Sequence, residues 1–192
     1  LPLARSAQCA CRVSASQGHA TLATGALILD RIEPEASEVS FSTLSGELKV
    51  RRSAEDKGSL SLDFPQWPAG EQCAAPASLV EAMGAKPVDC WPIPPLHGAP
   101  YFLFLYDDES TIANLAPDLK AMEANVVATA RSERDGIDFV SRWFGPCSGI
   151  DEDPATGSAH MTLAPFWASR LGKSRMEARQ LSSRGGELSV EL

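Results

Sequence analysis

Residues 19–23 read HATLA and residues 160–164 read HMTLA, an offset of 141; residues 42–50 read STLSGELKV and residues 182–190 read SSRGGELSV, an offset of 140. Two elements recur in the same order, one residue out of register. That is the signature of a duplicated supersecondary unit. The first pair reads as helix starts and the second as hairpins. The competing explanation is that Gly-Glu-Leu is common at turns and that small residues suit any buried helix.

From Ala20 to Leu29 apolar or small residues fall on every side of a helical wheel, which predicts a helix buried all round. Its counterpart is predicted over about Ala159 to Leu171, with Pro165 as a kink and Gly172 as the stop. Strands are predicted at Val39–Thr43, Glu47–Arg51, Leu60–Phe64, Tyr101–Tyr106, Val126–Thr129 and Ile137–Phe144. A short helix is predicted from about Ala77 to Met83, and Pro92, Pro94 and Pro95 predict a loop. The fold class expected is α+β, with two pseudo-symmetric halves, each a barrel-like, mostly antiparallel sheet around a buried helix. The Pro-rich stretch Asp63 to Gly70 divides them into residues 1–70 and 71–192. The first half is expected to be incomplete, because 57 residues from Pro100 to Thr156 precede the second helix and only 17 precede Gly18. The second half is expected to lack a closing segment after its hairpin. Open sheet edges and partly uncovered Leu22, Leu27 and Leu29 then predict marginal stability or association, with little activity.

Composition narrows the partner. A chain of 192 residues with a net charge of −8 and no Lys/Arg run has no electrostatic grip on nucleic acid or an anionic membrane. It has no apolar run long enough for a membrane span and no secretion signal at its start, so a cytoplasmic location is expected. Cys9, Cys11, Cys73, Cys90 and Cys147 show no paired spacing, and inert thiols are expected rather than zinc ligands or a disulfide framework. A small molecule is the expected ligand, with a homodimer among the expected states.

The densest chemistry lies in Asp151-Glu-Asp-Pro-Ala-Thr-Gly-Ser-Ala-His160, where three carboxylates enter a Gly-containing turn that opens a helix near Thr156. Free amides at such a turn suit an anion; Gly157 with Ser158 is expected to hold a carboxylate, and Thr156 is counted with them among the expected substrate-binding residues. Gly18 and His19 make a similar helix start in the first half. If the two ends converge on one cleft, a carboxylate and an imidazole serve proton transfer there, and the helix termini serve a substrate carboxylate or a developing enolate. The plainer reading is that the acids cap amides and favour the helix dipole. A neutral His19 is expected beside the positive helix end. His160 and His97 carry no assignment. No nucleophile elbow, phosphate loop or dinucleotide fingerprint is present, and no recognised motif supports His19, Asp153 and His160 as metal ligands.

At GHATLA, SGELKVRR, DFVSRWFGPCSGIDEDPATGSAH, FWASRLGK and QLSSRGGEL the chain resembles the PhzF-like family of phenazine biosynthesis. The resemblance implies a fold similar to diaminopimelate epimerase and a cofactor-free isomerase of a small carboxylated metabolite. In the phenazine enzyme itself the substrate is a dihydro-hydroxyanthranilate. It further implies that Asp153 and His19 are active-site residues and that Gly18, Gly157 and Ser158 contact substrate. The family's catalytic glutamate lies in a Ser-Glu-Thr-Ala-Phe-like segment ahead of the GHAT helix, and Leu1 to Ser16 do not resemble it. An inactive fragment or a binding protein on the same scaffold is therefore the rival expectation; a metal-dependent hydrolase is a third.

Overall fold

The computed structural model describes the backbone of residues 6–9 and all of residues 18–43, 46–53, 58–95 and 98–192. The chain forms two compact units, Leu1–Pro65 and Gln66–Leu192. The division falls at the head of the Pro-rich stretch, since Trp67 and Gly70 already bond into the second unit through Met161 and Pro92.

The first unit runs β1 (Ser6–Cys9), α1 (Gly18–Leu27), a π-turn (Ile28–Ile32), β2 (Glu38–Thr43), β3 (Gly46–Arg52) and β4 (Leu60–Asp63). Its four strands lie in the order β1-β2-β3-β4. β1 is parallel to β2 and the other pairs are antiparallel. Alternation puts Val39, Phe41, Leu48 and Val50 on the inner face with Leu29 and Ala36, all buried. One strand thus precedes the helix where the repeat predicts none. Two further expectations change here. α1 is not buried all round: Thr21 and Gly25 are its buried positions, and Leu27 is 57% exposed. Leu29, expected to be partly uncovered, is fully buried, because the π-turn swings it onto the sheet.

The second unit holds α2 (Ala77–Met83), β5 (Asp89–Ile93), β6 (Tyr101–Leu105), α3 (Glu109–Asn114), β7 (Asn125–Arg131), β8 (Phe139–Gly145), β9 (Ile150–Asp153), α4 (His160–Leu171), β10 (Arg175–Gln180) and β11 (Gly186–Glu191). Six strands follow the order β11-β10-β8-β7-β6-β5, and β9 pairs with β8. The central strand β7 is buried along six of its seven residues. Both faces of the sheet are therefore covered. Val126, Phe104, Val140 and Phe144 pack with α2 and α3 on one face. Their alternates Val127, Leu103 and Phe139 pack on the other face against Leu163, Phe166 and Trp167 of α4. Trp91, Met176, Leu188 and Val190 join that second cluster, so every strand of the main path sends a side chain toward α4. α4 is the helix buried on all sides through its first two turns.

The duplication is visible in the pairing. In the first unit β1 lies parallel beside β2, which turns back into β3; in the second, β8 lies parallel beside β10, which turns back into β11. α1 and α4 occupy corresponding places, each between the parallel partner strand and the hairpin, with the short strand β9 added ahead of α4 in the second unit. The hairpins differ in one respect. Leu48 faces Phe41, but its counterpart Leu188 faces Ala178. The link in the second hairpin is five residues (181–185) against two (44–45) in the first. Ser182, expected to match the strand residue Ser42, instead lies in that link.

Candidate functional site in the second unit

β9 is a short acidic strand held against β8, with Asp153 opposite Trp143 and Glu152 opposite Phe144. Its three carboxylates separate by environment. Asp151 is exposed. Glu152 is clamped by Arg142 in two bonds, Nε to Oε1 at 2.7 Å and a terminal nitrogen to Oε2 at 2.8 Å, and Arg142 also donates to the Leu115 carbonyl at 2.7 Å. A fork of that kind is a structural anchor. Asp153 is half-buried like Glu152 but pairs with no cation among the described residues, and its side chain accepts one bond there, from the Thr156 hydroxyl to Oδ2 at 2.8 Å.

The turn after β9 leads into a single 3-10 turn, Gly157–Ala159, and then α4. The Ala159 amide bonds to the Thr156 carbonyl at 3.2 Å. The amides of Gly157 and Ser158 open the helical run and have no acceptor among the described residues. Such amides present partial positive charge. Thr156 does not cap the helix with its hydroxyl; the hydroxyl is spent on Asp153.

Gln180, at the end of β10 and completely buried, ties this segment together. Its Oε1 accepts from the Thr156 amide at 2.7 Å, and its Nε2 donates to the Asp153 carbonyl at 2.5 Å and to the Thr156 hydroxyl oxygen at 3.0 Å. With that oxygen receiving a proton from Gln180, its own hydrogen is directed to Asp153. The longer hairpin link completes the cradle: Ser182 Oγ donates to the Pro154 carbonyl at 2.8 Å, and Gly186 lies so near Ala155 that an added Cβ would sit 2.7 Å from the Ala155 Cβ.

His160 sits inside the core, not in the turn. Its Nδ1 lies 2.9 Å from the Thr156 carbonyl, which can only accept, so Nδ1 carries the hydrogen. Nε2 is buried without a partner among the described residues, and the ring lies 5.9 Å from that of Phe139. Burial pushes the imidazole down to about 4, against the opposing pull of its bond to Thr156. The ring is neutral at pH 7.

The structure thus gathers Asp153, Thr156, Gly157 and Ser158 in one turn. Gly18 and His19 open α1 in the first unit, where His19 is exposed and Gly18 is half-buried, 2.8 Å separating its would-be Cβ from the Phe64 ring. His97 lies outside the described residues. Sequence reasoning missed Gln180, although a polar residue at the buried phase of Arg175–Gln180, where Met176 and Ala178 point inward and charges outward, is a readable signal. Among the described residues no three His, Cys, Asp or Glu side chains are grouped to hold a metal, and no helix is long and apolar enough to cross a membrane.

A duplicated strand-helix-hairpin unit with an acidic turn entering a buried helix defines a class, and comparison with known proteins places the chain within it. The family of phenazine biosynthesis-like proteins, PhzC-PhzF, matches residues 16–192, and the chain belongs to that family. It is 44% identical over 179 residues to an uncharacterized isomerase of Pseudomonas aeruginosa, covering 91% of this chain and 64% of that protein. It is 36% identical over 190 residues to a human phenazine biosynthesis-like domain-containing protein, covering 91% and 65%. A crystal structure of a PhzF family phenazine biosynthesis protein from Enterococcus faecalis superposes with a TM-score of 0.77 at 34% identity, covering 91% of this chain and 65% of that one. The chain spans a little under two thirds of the length of these relatives.

Proposed function

We propose that the protein belongs to a cofactor-independent isomerase that moves a proton on a small carboxylated metabolite. The observation that carries this reading is Asp153: a carboxylate with one oxygen oriented by Thr156, followed in the same turn by two amides without acceptors among the described residues. The Gly157 and Ser158 amides bind the substrate carboxylate. Asp153 transfers a proton at the carbon next to it, and the electron pair left behind moves into the carboxyl group. The amides then face the charge that develops, where preorganised donors act most strongly. Return of the proton to another carbon, or to the other face, gives the isomer with no net change in atoms or electrons. His19 as proton partner and Gly18 as substrate contact enter on the GHATLA motif alone, and the names of the relatives as isomerases support the class. A cytoplasmic location and a homodimer remain part of the same proposal.

The test is proton exchange. A panel of small aromatic and aliphatic carboxylates is incubated with the protein in deuterated water and followed by NMR. Enzyme-dependent deuterium uptake that vanishes in Asp153→Asn supports the assignment; uptake that persists in that variant overturns it.

A further inference from the structure

The stretch from Gln66 to Pro76 runs as a strap along β5, the edge of the seven-stranded sheet. It is held by Gly70 to the Pro92 carbonyl at 2.7 Å, by Cys73 to the Cys90 carbonyl at 2.9 Å, and by the Gln72 side chain to Asp89 at 2.6 Å. Cys73 and Cys90 are direct cross-strand partners in an antiparallel bridge. Hydrogen-bonded partners of that kind have Cα atoms about 5.5 Å apart, inside the range a disulfide spans. The two sulfurs are 3.8 Å apart, so rotation about the Cα–Cβ bonds suffices to join them. Both thiols are free, Cys73 exposed and Cys90 1% exposed. One is open to reagents and the other is shielded behind it.

We propose that Cys73 and Cys90 form a reversible modification site that takes a low-molecular-weight disulfide such as glutathione disulfide and converts to an intramolecular disulfide. The Cys73 thiolate attacks one sulfur of glutathione disulfide and expels a glutathione thiolate, leaving a mixed disulfide. Cys90 then gives up its proton, its sulfur attacks that of Cys73, and the second glutathione leaves. Two protein thiols are oxidised and one glutathione disulfide is reduced to two glutathiones. Burial, with the Cys73 contact, pushes the Cys90 thiol up to about 12, which makes Cys73 the entry point and Cys90 the resolving thiol. The product locks the strap onto the sheet edge and closes a loop around α2.

The test treats the full chain with glutathione disulfide, blocks remaining thiols with a maleimide and maps peptides by mass. The expected product links the Cys73 and Cys90 peptides with loss of two hydrogens, is reversed by dithiothreitol, and unfolds about 5 °C or more above the reduced form. Cys73→Ser should abolish the link and the shift. Cys90→Ser should stop the reaction at glutathione on Cys73; if it folds poorly, Cys90→Ala serves in its place. A stable glutathione adduct on Cys73 in the unaltered chain, or linkage of Cys73 to Cys147, would overturn the proposal. So would modification of exposed Cys147 while Cys73 stays free.

Discussion

The Trp67 amide donates to the Met161 carbonyl at 2.9 Å, and Met161 is the residue whose helical partner, four positions on, is Pro165. Proline has no N–H to give. The carbonyl orphaned inside α4 is therefore satisfied from the strap, and the Thr162 hydroxyl returns a bond to the Trp67 carbonyl at 2.5 Å. Replacing Pro165 by Ala supplies a competing N–H within the helix. The expected result is faster hydrogen exchange at the Trp67 amide, by about tenfold, with α4 amides unchanged or slower.

Removing Gln180 should be costly because it serves three bonds at a site with no water access. Gln180→Leu leaves the Thr156 amide and the Asp153 carbonyl unpaired in the interior. A loss of about 2–4 kcal/mol in denaturant unfolding is expected. A loss under about 0.5 kcal/mol would mean the turn finds other partners.

Gly186 and Ala155 offer a compensation experiment. Gly186→Ala puts two methyl groups 2.7 Å apart, so the Asp153–Thr156 turn must shift, and binding of small carboxylates should weaken. Ala155→Gly in the same chain removes the opposing methyl and should recover most of the loss. Failure of the double variant to recover would locate the damage elsewhere.

His160 predicts a pH dependence of stability. Its folded value of about 4 lies below the unfolded value near 6.5. Above pH 6.5 both states are neutral and the full stability is present. As pH falls from 6.5 toward 4 the unfolded chain takes up a proton that the folded chain refuses, and about 3 kcal/mol is lost. His160→Gln should flatten that limb of the stability profile measured by denaturant titration.

For the proposed reaction, Asp153→Asn should lower exchange by about 10²–10⁴-fold while moving unfolding by less than about 1 kcal/mol, since the amide still accepts from Thr156. Thr156→Val leaves the carboxylate unoriented and should give a smaller loss of rate. Equal losses in the two variants would point to a shared folding defect.

Much of the fold could be read in the residues because burial and period agreed. Ala77–Met83 forms the helix its apolar spacing and following Gly84 indicate, and β6, β7 and β8 lie within a few residues of their apolar runs. β5 was hidden by Pro92, which is tolerated because the strand is an edge. β9 was hidden by composition: Ile-Asp-Glu-Asp has no strand pattern, and its pairing comes from β8 and the Arg142 clamp. α3 announced itself only through Asp108, whose carboxylate caps the Thr111 amide at 2.7 Å. In the site, the turn from Asp153 to Ser158 was legible as chemistry. Of the residues that hold it, Gln180 left a signal in the inward phase of its strand, while Ser182 and Gly186 left none, because they come from a hairpin link whose register only the pairing reveals.

The three extra residues between β10 and β11 bear on what the second hairpin tolerates. The longer link props up the acidic turn through Ser182 and Gly186, so a deletion that restored the shorter form would leave a well-paired hairpin and an unsupported Asp153. The second link should therefore tolerate deletion poorly even where its strand pairing survives, because its length serves the neighbouring acidic turn and not the hairpin itself.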